Sequence, residues 1–146
     1  MIPYRLLKTE GFTLIELIIT IIIVGVLASI AMPRFAFVIE KMRSAEALKI
    51  LEALRNAQEI YKVENGSYTT VLSDLDVTIP QPENFEVPTL ASSNPIVSIE
   101  RDTAVTEYVY TLTIDNNGTI KCSGTTPAEI CSKLGCTGGA GSDECN

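Results

Sequence analysis

The chain has 146 residues, enough for one domain, and a formal net charge of −7. It contains no histidine, which excludes Ser-His-Asp and Cys-His catalysis and removes the commonest metal ligand. From residue 64 onward it has twelve acidic and three basic residues, and such an acidic surface argues against nucleic-acid binding. We therefore expect no enzyme, no cofactor and no nucleic-acid partner.

The first predicted element is an apolar helix. Residues 12–32 contain one charged residue, Glu16. A helix of these 21 residues reaches about 30 Å and is long enough to cross a bilayer. A charge inside such a helix costs on the order of 2.5–3.5 kcal/mol on insertion scales. We therefore expect Glu16 to require a compensating partner.

Three interpretations of the N-terminus are possible. In the first, it is an ordinary signal peptide cut after Ser29-Ile30-Ala31, although its apolar run is longer than the usual ~7–15 residues. Alternatively it is an uncut membrane anchor, with Arg5 and Lys8 retaining its start in the cytoplasm. In the third interpretation, a short polar leader is removed after Gly11.

The third interpretation comes from a resemblance. Lys8-Thr9-Glu10-Gly11 followed by Phe12-Thr13-Leu14-Ile15-Glu16-Leu17 resembles the class III signal of type IV pilins and type II secretion pseudopilins. The resemblance covers residues 8–75 well and the later part only loosely. It implies that a prepilin peptidase removes residues 1–11 and methylates the new amine of Phe12.

The same resemblance implies a role for Glu16. Cleavage creates an α-amine at Phe12, four residues before Glu16 and on the same helix face. The resemblance implies that Glu16 of one copy pairs with the Phe12 amine of another and sets their axial register. Such a pair specifies register more than it adds stability. The alternative is that Glu16 is a polar residue lining a helix bundle.

Gly25 and Pro33 lie where the family has helix-weakening residues. Because Pro33 has no amide proton, the carbonyl of Ser29 loses its helical partner, and we expect a bend nearby. The resemblance implies that residues 25–33 lose helical order in an assembled filament. The alternative is a simple kink or a proline that marks the membrane exit.

Residues 34–65 are predicted to continue the helix in amphipathic form. Asn65-Gly66 predicts a left-handed end. Charged residues on the other faces, Glu40 among them, are expected to be solvated, with pairs such as Glu52 with Arg55. The predicted buried stripe, spaced at three or four residues, comprises Val38, Met42, Ala45, Leu48, Leu51, Leu54, Ala57 and Tyr61.

Residues 66–146 are predicted to form a globular headpiece. Residues 67–95 read as a long surface connection rich in Pro, Ser and Thr. Residues 96–99 and the alternating residues 107–114 predict strands. Asp115-Asn116-Asn117-Gly118 predicts a hairpin turn into a further strand, because it lacks the spaced ligands of a calcium loop. The fold class is α+β: a long N-terminal helix packed on a small antiparallel β-sheet, as in pilins.

Four cysteines occupy the tail: Cys122, Cys131, Cys136 and Cys145. Their even number favours an oxidising compartment, and three disulfide pairings are possible. The resemblance of residues 122–134 to some pilin tails favours Cys122–Cys131, which leaves Cys136–Cys145. Four-thiolate zinc is the alternative, but the spacing fits it poorly, and we expect no metal.

The resemblance implies a structural subunit of a type IV pilus, which the cysteine-stapled tail favours. The alternatives are a type II secretion or competence pseudopilin, a signal-anchored monomeric binding domain, and a secreted domain cut before Met32. The expected partners are further copies in a helical homo-oligomer, the prepilin peptidase, the membrane, and the pilus or secretion assembly machinery. The subunit would cross the cytoplasmic membrane once, with its headpiece outside the cytoplasm, before joining an extracellular pilus or a periplasmic pseudopilus.

Overall fold

The structure, a computed structural model, describes residues 11–104, 107–127, 129–137 and 143–145. The chain divides into two compact units, Met1–Ala36 and Phe37–Asn146. The long helix α1, Leu14–Asn65, contributes residues to both. It includes Gly25 and Pro33, and the bend expected at Pro33 remains a prediction.

The N-terminal unit consists of the first part of α1. Its segment Leu14–Met32 is long and apolar enough to cross a membrane, and none of it is buried within the described residues. The large apolar side chains of this segment are exposed in the isolated chain. Such a continuous apolar surface requires lipid or other apolar side chains around it.

The C-terminal unit is built on the later part of α1. Ala47, Ile50, Leu51 and Leu54 are buried and form one hydrophobic core with side chains of the sheet. The helix ends at Asn65, and the next residue, Gly66, has a φ of 82°. The amide of Gly66 donates to the carbonyl of Lys62 at 2.8 Å, so the predicted left-handed end is confirmed.

The predicted buried stripe is wrong over its first part. Val38 and Met42 are 55% and 70% exposed, and Ala45 is also exposed. Glu40 and Ser44, in contrast, are buried. At about 100° per residue, Val38 lies about 200° from Glu40 around the helix axis, so the two point to opposite faces.

The predicted buried face of α1 is exposed here and the opposite face is buried, and contacts with residues distant in the sequence explain this inversion. The later core residues Leu51 and Leu54 fix which face of α1 meets the sheet, and Glu40 lies on that same face. Glu40 is tolerated there because Arg101 and Tyr110 supply charge and hydrogen bonds. The expectation that Glu40 is solvated is therefore wrong.

The elements after α1 are a short 3-10 turn Leu72–Asp74, β1 Thr89–Leu90, β2 Val97–Glu100, β3 Val109–Ile114, β4 Ile120–Thr126, α2 Ile130–Leu134, β5 Cys136–Thr137 and β6 Asp143–Cys145. The strands form one antiparallel sheet in the order β1-β2-β3-β4-β6-β5. The strands β2 and β3 and the start of β4 confirm the sequence-based prediction, with Tyr110, Leu112 and Ile114 on the buried face of β3. The fold is α+β, as predicted.

The turn between β3 and β4 is held by the helix. Arg55 donates to the carbonyl of Asn116 from Nη2 at 2.8 Å and from Nε at 3.2 Å. Gly118 supplies the positive φ, 88°, that the turn requires. Within the described chain Arg55 makes these bonds instead of the predicted pair with Glu52, and the hairpin prediction is confirmed.

The connection from α1 to the sheet is largely irregular, as expected, but it is anchored. The buried side chain of Gln58 donates to the carbonyl of Thr69 at 2.7 Å and accepts from its amide at 3.0 Å. Leu75 and Phe85 are buried in the core. These contacts fix the connection against α1 and the sheet.

Candidate processing and assembly site

The predicted cleavage junction lies just before α1. Gly11 and Phe12 are exposed, Phe12 to 81%, and a side-chain carbon on Gly11 would meet nothing within 4 Å. Both residues that flank the predicted cleavage bond are therefore exposed among the described residues. Residues 1–10 of the predicted leader lie outside the described residues.

Thr13 is the helix cap that the sequence analysis missed. Its Oγ1 accepts a hydrogen bond from the amide of Glu16 at 3.3 Å, which satisfies one of the free donors at the start of α1. The signal was present in the sequence, since Thr-x-x-Glu is the pattern of a capping box. Cleavage after Gly11 would leave this cap intact.

Glu16 lies in the first turn of α1, where the partial positive charge of the helix start favours a carboxylate. That interaction contributes about 0.3–1 kcal/mol. Insertion scales give a cost of about 2.5–3.5 kcal/mol for comparable charges at the centre of a membrane helix. The helix start therefore offsets only part of a cost of that size, and a cation close to the carboxylate would offset more of it.

The described part of the chain does not provide that cation. Its ion pairs are Arg43–Glu40, Arg101–Glu40 and Lys133–Glu129, and no described side chain binds the exposed carboxylate of Glu16. An amine released at Phe12 would be the nearest new positive charge along the chain. It would be available to Glu16 of the same copy or of a neighbour.

Gly25 lies inside α1 with open space around it, since an added side-chain carbon would meet nothing within 4 Å. Packing among the described residues therefore does not explain why a glycine stands here. A glycine inside a helix lowers helix stability by about 1 kcal/mol relative to alanine. Together with Pro33 it marks the part of α1 with the weakest local preference for a helix, and the predicted loss of order there stays a prediction.

The four cysteines of the tail form two disulfide bonds. Cys122 of β4 is bonded to Cys131 of α2, with 5.6 Å between their Cα atoms. Cys136 of β5 is bonded to Cys145 of β6, with 3.9 Å between their Cα atoms. This is the pairing that the resemblance implies. The first bond connects α2 to β4, and the second connects β5 to β6 within the last strand pair.

A buried polar cluster near the start of the C-terminal unit was not found from the sequence. Glu40 Oε1 accepts from Arg101 Nε at 2.6 Å and from the Tyr110 hydroxyl at 2.7 Å. Glu40 Oε2 accepts from Arg101 Nη2 at 3.3 Å and from Arg43 Nη1 at 3.4 Å. Arg101 also donates to the carbonyl of Asn84. The cluster therefore connects α1, the irregular connection and the sheet.

The cluster fixes the ionisation states of its members. Burial opposes the charge on Glu40, but hydrogen bonds from Arg101 and Tyr110 and the charge of Arg101 outweigh it, and the pKa of Glu40 is lowered. Burial, together with the neighbouring Glu40 carboxylate, raises the pKa of Tyr110 far above its usual range. Glu40 is therefore charged and Tyr110 neutral at physiological pH.

The sequence held one sign of this cluster. Arg101 is one of only three basic residues among the many acidic ones from residue 64 onward.

Comparisons with known proteins extend these observations. Residues 7–32 match the prokaryotic N-terminal methylation motif. The type II secretion system core protein G of Escherichia coli K12 is 37% identical over 75 residues, and the chain spans about half of that relative's length, 52%. A probable minor fimbrial protein of Dichelobacter nodosus is 34% identical over 106 residues, 73% of this chain and 65% of that protein. No solved structure is a significant match.

The type II secretion system core protein G of Vibrio cholerae resembles most of the chain. The identity is 31% over 116 residues, which are 80% of this chain and 79% of that protein. This likeness extends far beyond the apolar segment that the methylation motif covers. The chain therefore belongs to the family of type IV pilins and type II secretion pseudopilins.

Proposed function

We propose that this chain is a structural subunit of a type IV pilus and not an enzyme. The prepilin peptidase removes residues 1–11, and the mature subunit polymerises through the apolar part of α1. One observation carries the proposal. Glu16, whose carboxylate has no partner in the described chain, follows an exposed Gly11–Phe12 junction by four residues and lies in the apolar segment Leu14–Met32, none of which is buried.

The cleavage step supplies the missing charge. Hydrolysis of the Gly11–Phe12 bond by water leaves a carboxylate on Gly11 and a protonated amine on Phe12. Methylation of that amine keeps it basic. In an apolar medium the amine and the Glu16 carboxylate attract strongly only at close range. A neighbouring copy can therefore bring both charges together in only one axial register.

The apolar side chains of Leu14–Met32 determine where the subunit resides. Before assembly they are covered by lipid in the cytoplasmic membrane, which the helix crosses once with the headpiece outside the cytoplasm. After assembly they are covered by the same segment of other copies. The pilus assembly machinery transfers subunits from one apolar environment to the other, and the homo-oligomer is a helical filament.

The tail of the chain and one relative favour a pilus as the type of filament. Two disulfides close the loops 122–131 and 136–145, and each such loop of about ten residues stabilises the folded chain by roughly 2.7 kcal/mol in the chain-entropy model. A tail stabilised in this way suits a filament exposed outside the cell. The minor fimbrial relative of Dichelobacter nodosus points the same way.

A type II secretion pseudopilus is the second candidate filament. The likeness to the Vibrio cholerae core protein G covers 80% of the chain, which specifically favours it. The filament would then be periplasmic, and its partner would be the secretion machinery. The role of the apolar helix and of the Phe12–Glu16 contact would be the same in both filaments.

Mass spectrometry of the mature protein tests the processing step. We expect the native chain to begin at methylated Phe12 and to contain no free thiol. Gly11→Ala should accumulate as the uncut precursor, whereas Gly25→Ala, a glycine change outside the junction, should be cut normally. A mature chain that begins at Met1 or Met32 contradicts the proposal.

Deletion of the gene separates the two filaments. Loss of extracellular filaments with unchanged protein secretion supports the pilus. Loss of secreted proteins with unchanged surface filaments supports the pseudopilus. Immunogold labelling of the headpiece along a filament shows in either case that the chain is a filament subunit.

A further inference from the structure

The inverted face of α1 leaves an apolar patch on the surface of the C-terminal unit. The exposed side chains of Val38, Met42 and Ala45 lie on one face of the helix, because they recur at three or four residues. Two lysines, Lys41 and Lys49, border them. One acid, Glu46, lies at the edge. We call these five residues, Val38, Lys41, Met42, Ala45 and Lys49, the proximal patch.

A groove of about 350 Å³ lies near the other end of α1 in the same unit. Ile60, which is 62% exposed, forms part of its apolar wall. Three acids, Glu64, Asp74 and Asp76, also line it, and its described lining contains no lysine or arginine. We call it the distal groove; its lining from α1 includes Ala53, Asn56 and Ile60.

The two surfaces are complementary in charge and similar in polarity. Each combines apolar side chains with charge of one sign, lysine in the proximal patch and carboxylate in the distal groove; Val38, Met42 and Ala45 are exposed in the patch, and Ile60 is exposed in the groove. They occupy successive stretches of one helix, residues 38–49 and residues 53–64, so a single copy cannot bring them together. A second copy of the same chain can, because a head-to-tail contact repeats from copy to copy without closing.

We propose that the proximal patch of one copy docks in the distal groove of a second copy. This inference rests on the proposed function, and it names a contact between C-terminal units that is separate from the contact between Glu16 and the Phe12 amine. Met42 and Val38 then cover Ile60, and Lys41 lies near Asp76 and Glu64. The inverted stripe is explained, since its apolar residues are the ones covered in the filament.

The contact predicts a particular offset between copies. Met42 and Ile60 are 18 residues apart, so bringing them together shifts one parallel copy by about 27 Å along α1. Phe12 and Glu16 are four positions apart, which corresponds to a shift of only about 6 Å. The two contacts therefore belong to different neighbours of the same subunit.

Cysteine cross-linking in filaments tests the contact. A double variant Met42→Cys/Ile60→Cys, which retains the four native cysteines, should give a ladder of covalent dimers, trimers and longer chains after mild oxidation. The matched control Met42→Cys/Val87→Cys carries its second cysteine at another exposed apolar position, 56% exposed, and should give no ladder beyond dimers. Intact filaments of the first variant without a ladder overturn the proposal.

Charge reversal provides an independent test that does not need added thiols. Lys41→Glu and Asp76→Lys should each lower the yield of filaments about tenfold, because each places like charges together. The double variant should return to within about twofold of the wild type. Glu86→Lys, a charge reversal at an exposed acid outside the groove, should leave the yield unchanged. A double variant as poor as the single ones overturns the docking contact while wild-type filaments still support the proposed function; absence of filaments from the wild type overturns both.

Discussion

Glu40 and Arg101 form an ion pair in which both side chains are fully buried, with 2.6 Å between Oε1 and Nε. The two residues are 61 positions apart in the chain. Phe85 lies beside the guanidinium, with its ring centroid 5.3 Å from Cζ of Arg101. The pair thus connects the first turns of α1 in the C-terminal unit to the residue that follows β2.

Arg101→Met should lower the free energy of unfolding of the C-terminal unit by about 3–5 kcal/mol, because it leaves the buried carboxylate of Glu40 without its main partner. Urea denaturation of the detergent-solubilised protein, followed by tyrosine fluorescence, measures the change. Glu100→Gln, an exposed neighbour, should stay within about 0.5 kcal/mol of the wild type. An Arg101→Met protein as stable as this control would show that the pair does not hold the unit together.

Protonation of Glu40 should make the free energy of unfolding depend on pH in the acid range. Its pKa is lowered in the folded chain, so its contribution is fully present above the pKa of the unfolded chain and is lost as pH falls through the folded value. The free energy of unfolding should therefore decrease as pH falls below the usual glutamate value of 4.5.

Glu40→Gln tests the assignment of this acid dependence. The variant should be less stable at neutral pH and should show a smaller decrease on acidification, since the titrating group is gone. Urea midpoints measured from neutral pH down to the acid transition give both quantities. An unchanged acid slope in the variant would assign the dependence to other carboxylates.

The sequence was sufficient wherever local chemistry decides the structure. The left-handed end at Gly66, the hairpin turn before Gly118 and the alternation in β3 each follow from a few neighbouring residues. The processing motif around Phe12 is also local, and its match to the methylation motif covers residues 7–32. These features need no partner far away in the chain.

The features that the sequence did not reveal depend on distant partners. Glu40 is buried because Arg101 and Tyr110 reach it from the sheet, and no periodicity along α1 contains that information. The short strands β1, β5 and β6 have two or three residues each. They exist as additions to longer strands, and such short pieces carry too little pattern to be recognised alone.

Gln58 should also contribute strongly to the stability of the C-terminal unit. It is fully buried and makes two hydrogen bonds to the backbone of Thr69. Gln58→Ala should lower the free energy of unfolding by about 1–3 kcal/mol, because the buried amide and carbonyl of Thr69 lose their partner. Asn56→Ala, on the exposed side of the same helix, is the matched control. Equal urea midpoints for the two variants would contradict the role of Gln58.

Glu16→Ala should separate processing from assembly. The variant removes the charge from the apolar segment, so membrane insertion should improve, and cleavage after Gly11 should continue because the junction is unchanged. Filament yield should nevertheless fall about tenfold or more, since the Phe12 amine loses the carboxylate that specifies register. Thr20→Ala, another polar position of the same segment, should assemble normally. Wild-type yield from Glu16→Ala would refute the register role.

Gly124 of β4 should tolerate no side chain. A Cβ atom placed there would lie 2.6 Å from Cγ2 of Ile130, 2.8 Å from Cβ of Tyr110 and 3.0 Å from the carbonyl oxygen of Val109. Two of these distances are far below van der Waals contact, and two of the three atoms belong to the backbone or to a Cβ, so they cannot rotate away. Gly124→Ala should therefore lower the free energy of unfolding by about 1–3 kcal/mol through overpacking.

Ser123→Ala is the matched control for Gly124→Ala, because Ser123 is its exposed neighbour in the same strand. Thermal unfolding of both variants in detergent, followed by tyrosine fluorescence, gives the comparison. Because Ile130 begins α2, the displaced helix should also strain the attachment of Cys131 to β4. Reduction of the disulfides should therefore destabilise Gly124→Ala less than the wild type. An equal effect of reduction on both proteins would confine the damage to the contact with Tyr110 and Val109.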